Sequence, residues 1–224
     1  MATATFISRV IELTPAKRDQ DHIPMVVIST PQIPDRSAAI LSGKESPLPS
    51  LIASAKALER MQANFIVMPC NTAHRWFADI QRQVNIPLLH IVEAVMERLR
   101  RRRLTKCPVG LLATNGTLAS GIYAVRILSE GYTLHLPDKK TQARVMEGIH
   151  AVKSGDLKSP YRALAPGARG LLEQGCAAVI LGCTEIPIAL ERDKPFLDRY
   201  IDSIEALAYQ TVQFAGSAPT VSDN

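Results

Sequence analysis

The chain has 224 residues, of which 46% are hydrophobic and 21% charged, with a formal charge of +5. That balance suits a soluble globular protein large enough to bury its own core, and it excludes a disordered tail, a collagen or a disulfide-stapled miniprotein. Apolar runs extend for only a few residues, far short of the ~20 needed to span a bilayer. The mild basic excess does not by itself choose among nucleic acid, anionic lipid and a small acidic molecule. Cys70, Cys107, Cys176 and Cys183 form no CxxC pair, a usage that reads as free thiols in a reducing, cytoplasmic setting.

In chain order, residues 1–18 carry Arg9, Lys17 and Arg18 among several Ser and Thr. Glu12 interrupts them and no apolar core of a signal peptide follows, so TATFISRVIELT reads as an amphipathic helix and not as a targeting segment. Strands are predicted at Met25–Ser29, Phe65–Met68, Pro87–Ile91, Val109–Ala113 and Ala178–Leu181, with a weaker one at Tyr132–Leu136. Helical patterns fill the intervals: Leu48–Ala63, Ala73–Val84, Val92–Leu104, Leu118–Glu130, Gln142–Ser154 and Tyr161–Gln174. This alternation predicts an α/β fold with parallel sheets covered by helices.

A faint internal repeat divides the length. MVVISTP is similar to VGLLATN, and FIVMPCNTAH to AVILGCTEIP. Two related α/β domains follow, residues 1–100 and 101–200, with a break near the basic stretch Arg98–Lys106. The helix at 201–216 packs back on the first half, and 217–224 is a frayed polar tail. Ligands of open α/β sheets bind beyond the carboxyl ends of the strands, where all four repeated turns lie.

Two of those turns carry a thiol. PCNTAH (69–74) leaves a strand and enters a helix with Asn71 and Thr72 as capping candidates; GCTE (182–185) does the same with Thr184. Each thiol is thereby placed at a positive helix end, which favours thiolate and binds carboxylates. A pair of thiols with accessible charged and neutral forms can remove a proton from one face of a carbon acid and return one to the other, without a cofactor. Cys107 and Cys176 lack this setting and read as packing residues. Cys70 and His74 have metal-ligand spacing, but no second pair completes a site, so no metal is expected. His74 is expected on the helix surface or as an orienting neighbour. Arg98–Arg103 holds five arginines in six residues. Without interleaved aromatic side chains it reads as a solvated helix end and not as a nucleic-acid contact.

MPCNTAH and LGCTE, with TPAKRDQDH and PQIPDR before them and LLATNGT between them, resemble the aspartate/glutamate racemases over nearly the whole chain. The resemblance implies two pseudo-symmetric open parallel-sheet domains, a cleft site between them, and catalysis without pyridoxal phosphate or metal. It places the catalytic pair on Cys70 and Cys183. Asn71, Thr72, Thr114, Thr117 and Thr184 then hold the α-carboxylate and amino group, and Arg36 and Lys153 lie near a side-chain carboxylate. An Arg fork suits that group physically. The implied partner is a small acidic amino acid, with no nucleic acid or membrane, in a homodimer. Glu185 stands where glutamate racemases usually carry His, so the pattern leans toward aspartate. Family members open with an apolar strand and a glycine-rich turn ahead of a stretch like MATATF. This chain begins at that stretch, so the first strand of the first sheet is expected to be missing, through a late-called start. The alternatives are a related enzyme acting on another carbon acid (a hydantoin racemase, decarboxylase or isomerase) or a shortened inactive homologue.

Overall fold

A computed structural model describes residues 2–216; the tail predicted at 217–224 lies outside the described residues. The chain opens with helix α1 (Ala2–Leu13), then a long irregular stretch leads to α2 (Arg36–Ser42) and α3 (Leu48–Arg60). Strand β1 (Ile66–Val67) delivers the Cys70 turn, a 3-10 turn (Thr72–Trp76) and α4 (Phe77–Gln81). Strand β2 (Leu88–Leu89) and α5 (Ile91–Arg101) follow. The second half runs β3 (Pro108–Ala113), α6 (Asn115–Ser120), α7 (Ile122–Ser129), β4 (Thr133–His135), α8 (Lys139–Lys153) and α9 (Pro160–Glu173). It continues with β5 (Ala178–Gly182), α10 (Ile186–Leu190), β6 (Tyr200–Asp202) and α11 (Ser203–Phe214).

Both sheets are parallel. One pairs β1 with β2, Ile66 opposite Leu88; the other runs β4-β3-β5-β6, with Val109 opposite Ala178 and Ile180 opposite Ile201. The α/β class and parallel pairing predicted from alternation are observed. Side chains alternate across the central strands as the pleat requires. Leu111 and Ile180 face one core with Val95 and Leu99 of α5 and Leu207 of α11, while Leu112, Val179 and Leu181 face a second core with α8, α9 and α10. Because α11 packs against α1 and α5 as well as behind β5, the first core runs between the halves. Cys176 lies in the second core and Cys107 packs against the first, in keeping with packing roles.

The predicted strand Met25–Ser29 is corrected. Among the described residues none pairs as a strand with 25–29, and Met25, Val26, Val27 and Ile28 stay 36–49% exposed. Apolar, β-branched composition favours a pleated surface only when a neighbouring strand supplies the ladder, and β1 has its one partner in β2. Three other differences are local. Gly121, at φ 70°, breaks the predicted helix over Leu118–Glu130 into α6 and α7, a conformation that glycine adopts without steric cost. The helix predicted after Cys70 is a 3-10 turn followed by one α-helical turn. Strand β6 and helix α2 are additional to the predicted elements; each is short, and β6 is identified by its pairing with β5.

The basic run is tied into carboxylates. Arg98 pairs with Glu205, Arg100 with Glu97 and Glu130, and Arg101 with Glu97 while lying over the Tyr209 ring. Its charge closes the seam between α5, α7 and α11. Among the described residues no helix is long and apolar enough to cross a membrane.

Candidate active site

A cleft of about 560 Å³ opens at the carboxyl ends of β1, β3 and β5. Both thiol turns face it. Cys70 and Cys183 line it together with Arg36, Asn71, Thr72, Thr114, Lys153 and Thr184. Of the nine residues singled out in the sequence, Thr117 alone is absent from the lining; it lies just beneath, buried against Thr72 and Thr114.

The three threonines form a closed triangle of hydroxyls. Thr72 Oγ1 lies 2.8 Å from Thr117 Oγ1 and 3.1 Å from Thr114 Oγ1, and the last pair is 3.0 Å apart. Each hydroxyl can donate once and accept twice, so the triangle satisfies itself and still has lone pairs to offer. Thr114 also caps α6 by accepting the Thr117 N–H at 3.1 Å. Ser37, whose Oγ lies 3.4 Å from Thr114 Oγ1, brings α2 against this cluster. That approach depends on Gly116: a Cβ there would stand 2.7 Å from Ser37 Cα. Packing of α2 on α6 thereby carries Arg36 to the cleft.

Cys70 is held by a buried histidine. The Ile91 N–H donates to His74 Nε2 at 3.1 Å, so Nε2 is the unprotonated nitrogen and Nδ1–H donates to the Cys70 carbonyl at 2.9 Å. Burial, and then the neighbouring His90, depress the His74 pKa to about 3, so the ring is neutral at physiological pH. His74 therefore orients Cys70; its predicted surface alternative does not hold.

Asn71 is engaged on both sides. Tyr123 OH donates to its Oδ1 at 2.6 Å, and its Nδ2 donates to Ser203 Oγ at 2.9 Å. Ser203 in turn donates to the Leu181 carbonyl at 2.8 Å, two residues before Cys183. This buried relay joins one thiol turn to the other, and Asn71 keeps one N–H and one lone pair for the cleft.

The capping roles predicted for Asn71, Thr72 and Thr184 are corrected. Asn71 precedes a 3-10 turn without a side-chain cap, and α10 begins after Glu185, also without one. Thr184 instead donates to Glu185 Oε2 at 2.8 Å. The predicted lowering of the second thiol is likewise reversed. The Cys183 thiol is driven well above the ordinary thiol range by burial, then by the charge of Glu185 and by its own hydrogen bond to Glu185 Oε2 at 3.0 Å; Lys153 opposes them. A five-residue helix supplies too little dipole to outweigh desolvation and a carboxylate in contact.

On the basic side, Arg36 Nη1 donates to the Ile33 and Pro34 carbonyls, both at 3.3 Å, fixing the guanidinium at the rim. Asp35 caps α2 through the Ala38 N–H at 2.7 Å. Burial pushes its carboxyl up, but the Ala38 N–H, Lys153 and Arg36 hold it below the usual range. Asp35, Ser37 and Glu185 line the cleft beside the residues read from sequence. PQIPDR and GCTE contain Asp35 and Glu185, yet only the folded contacts show what these carboxylates touch.

The family and the fold have counterparts among known proteins. The Asp/Glu/Hydantoin racemase family model matches residues 1–211. The chain belongs to that family. The aspartate racemase of Picrophilus torridus superposes with a TM-score of 0.86 at 32% identity, covering 98% of this chain and 91% of that one. The broad specificity amino-acid racemase RacX of Bacillus subtilis (strain 168) is 30% identical over 94% of this chain and 92% of its own length. The glutamate racemase of Lysinibacillus sphaericus (strain C3-41) is 34% identical, but over 60% of this chain and only 50% of its own length. The cleft described above thus belongs to a racemase-family fold of two α/β halves.

Proposed function

We propose that this protein racemises an acidic amino acid, aspartate or glutamate, with Cys70 and Cys183 as the acid–base pair and no cofactor. The observation that carries this reading is the meeting of both thiols in one cleft with Arg36 and Lys153. The substrate's Cα lies between the thiols. One sulfur, as thiolate, takes the α-proton; the other, as thiol, returns one from the opposite face, so the product leaves the pair with its proton on the other sulfur. The lone pairs left on the Thr72, Thr114 and Thr184 hydroxyls accept from the substrate's amino group, and the remaining Asn71 N–H donates to the α-carboxylate, with Thr117 supporting the cluster from below. Arg36 offers a planar fork and Lys153 a point charge to the side-chain carboxylate. The same reading treats the chain as two domains, 1–100 with 201–216 and 101–200, working as a cytoplasmic homodimer; light scattering of the purified chain measures the latter.

The test is incubation of L-aspartate and L-glutamate with the protein in deuterated buffer. D-enantiomer carrying deuterium at Cα is expected, and Cys70→Ala or Cys183→Ala each abolishes it. Full racemisation by either variant would refute the two-thiol mechanism. A second reading, turnover of neutral amino acids, is favoured by the similarity to the broad specificity amino-acid racemase RacX of Bacillus subtilis; it predicts that alanine or leucine outpaces aspartate in the same assay.

A further inference from the structure

The two thiols are not equivalent. Cys183 is 6% exposed and donates to the Glu185 carboxylate at 3.0 Å, an oxygen that Thr184 also holds at 2.8 Å. Glu185 therefore cannot swing away without losing two hydrogen bonds. Cys70 is half-buried, and among the described residues no carboxylate hydrogen-bonds its sulfur. From this asymmetry we propose that Glu185 fixes the resting proton of the pair on Cys183, making Cys183 the acid and Cys70 the base of the free protein.

The physical argument is a comparison of the two places one proton can occupy. With the proton on Cys183, the thiol donates to a carboxylate and no second negative charge is buried. With the proton on Cys70, a buried thiolate and the Glu185 carboxylate confront each other at hydrogen-bonding distance without a proton between them. Like charges at such a separation disfavour the second state strongly. The charged and titratable groups near Cys183 include Lys153 of α8, which favours thiolate, and Tyr123 of α7, itself held neutral by burial. Lys153 opposes the carboxylate, but burial and Glu185 together push the Cys183 thiol up despite it.

This deepens the proposed two-thiol reading and rests on it for its catalytic meaning. Of the two singly protonated forms, the enantiomer whose α-proton faces Cys70 meets the more populated one; its mirror image must wait for the less populated one. Since L- and D-amino acids are equally stable, kcat/KM is the same in both directions, and the bias appears as a lower KM with a proportionally lower kcat for the first enantiomer.

The test follows each thiol by itself in the full chain. Iodoacetamide alkylation of Cys70 and Cys183 is measured by peptide mass spectrometry between pH 6 and 11, and the midpoint of each rate profile is read, since a midpoint is independent of how slowly a buried thiol is reached. In the unmodified protein the Cys183 midpoint is expected above the ordinary thiol value of ~8.5. Glu185→Gln should lower it by at least about one pH unit, a tenfold rise in alkylation on the acid side of the profile, and leave the Cys70 midpoint in place. Glu185→Asp, which keeps the charge on a shorter arm, should fall between. A Cys183 midpoint at or below ~8.5 in the unmodified protein, or one that Glu185→Gln leaves unmoved or raises, overturns the proposal. The first of these needs no variant to fold. Neither readout requires turnover, so failure to racemise aspartate would count against the substrate reading and not against the proton's placement.

Discussion

Replacing Gly116 with alanine tests whether the α2–α6 contact assembles the cleft. By helix propensity alone, Gly→Ala inside α6 should stabilise by about 1 kcal/mol. The structure opposes this. The new Cβ would stand 2.6 Å from Ser37 Oγ, 2.7 Å from Ser37 Cα and 2.8 Å from Ser37 Cβ. One of these is backbone, so rotating the serine does not relieve the clash; α2 must retreat by about 1 Å to restore ordinary carbon–carbon separations of ~3.5–4.0 Å. Overpacking of this kind costs about 1–3 kcal/mol, so the clash wins and the net change is destabilising or close to neutral. The larger effect is on the site. Arg36 precedes Ser37 and moves with it, and a displacement of ~1 Å in a positioning group can cost ~10²-fold in rate. Gly170 of α9 is the control, since nothing lies within 4 Å of its Cβ position; Gly170→Ala should keep full activity and gain up to ~1 kcal/mol. Urea denaturation and chiral chromatography of aspartate turnover read the two quantities. A Gly116→Ala protein as stable as Gly170→Ala, with unchanged kcat/KM, would show that α2 does not depend on this contact.

Three further outcomes are expected. Arg36→Ala should raise the KM for aspartate by at least ~10-fold, the loss of one charge-assisted hydrogen-bonded pair, while turnover of alanine, which has no second carboxylate, changes far less; equal losses on both substrates would remove Arg36 from side-chain recognition. Tyr123→Phe leaves the buried Asn71 Oδ1 without its 2.6 Å donor and should cost ~1–3 kcal/mol in urea denaturation; a neutral result would mean that another donor takes over. Because the His74 pKa falls to about 3 in the fold from its ordinary unfolded value, its neutral form contributes stability that is fully present above pH ~6.5 and is lost as pH falls from there toward 3. His74→Gln should therefore flatten the stability profile between those limits, and an unchanged slope relative to the parent would exclude His74 as its source.

Much of the site was legible because its signals are local. An apolar run followed by Pro-Cys-Asn-Thr or Gly-Cys-Thr-Glu places a thiol at a strand's carboxyl end whatever the remainder of the chain does, and Cys70 and Cys183 do meet in one cleft. Met25–Ser29 shows the limit of such reasoning. Its composition is that of a strand, but a strand is a relation between two segments, and among the described residues no neighbour pairs with it. The thiol's protonation failed for a related reason. A helix end could be inferred beside Cys183, yet its burial and its 3.0 Å contact with Glu185 come from packing and rotamer, and they outweigh a short helix's dipole.

The division follows from the reach of the forces concerned. Periodicity, turn chemistry and the Cys-containing motifs act within a few residues, so the 224 residues by themselves determined the alternation of strand and helix and the two thiol turns, while Arg36 and Lys153 came from the family resemblance. Tertiary structure alone decided which of those residues share a cavity and in what electrostatic state. Asn71 meets Ser203 across 132 positions and Tyr123 across 52; Ser37 reaches Thr114 only because Gly116 has no Cβ. Burial and close charge are properties of three-dimensional packing, and they distinguish two cysteines that the sequence presents as near repeats.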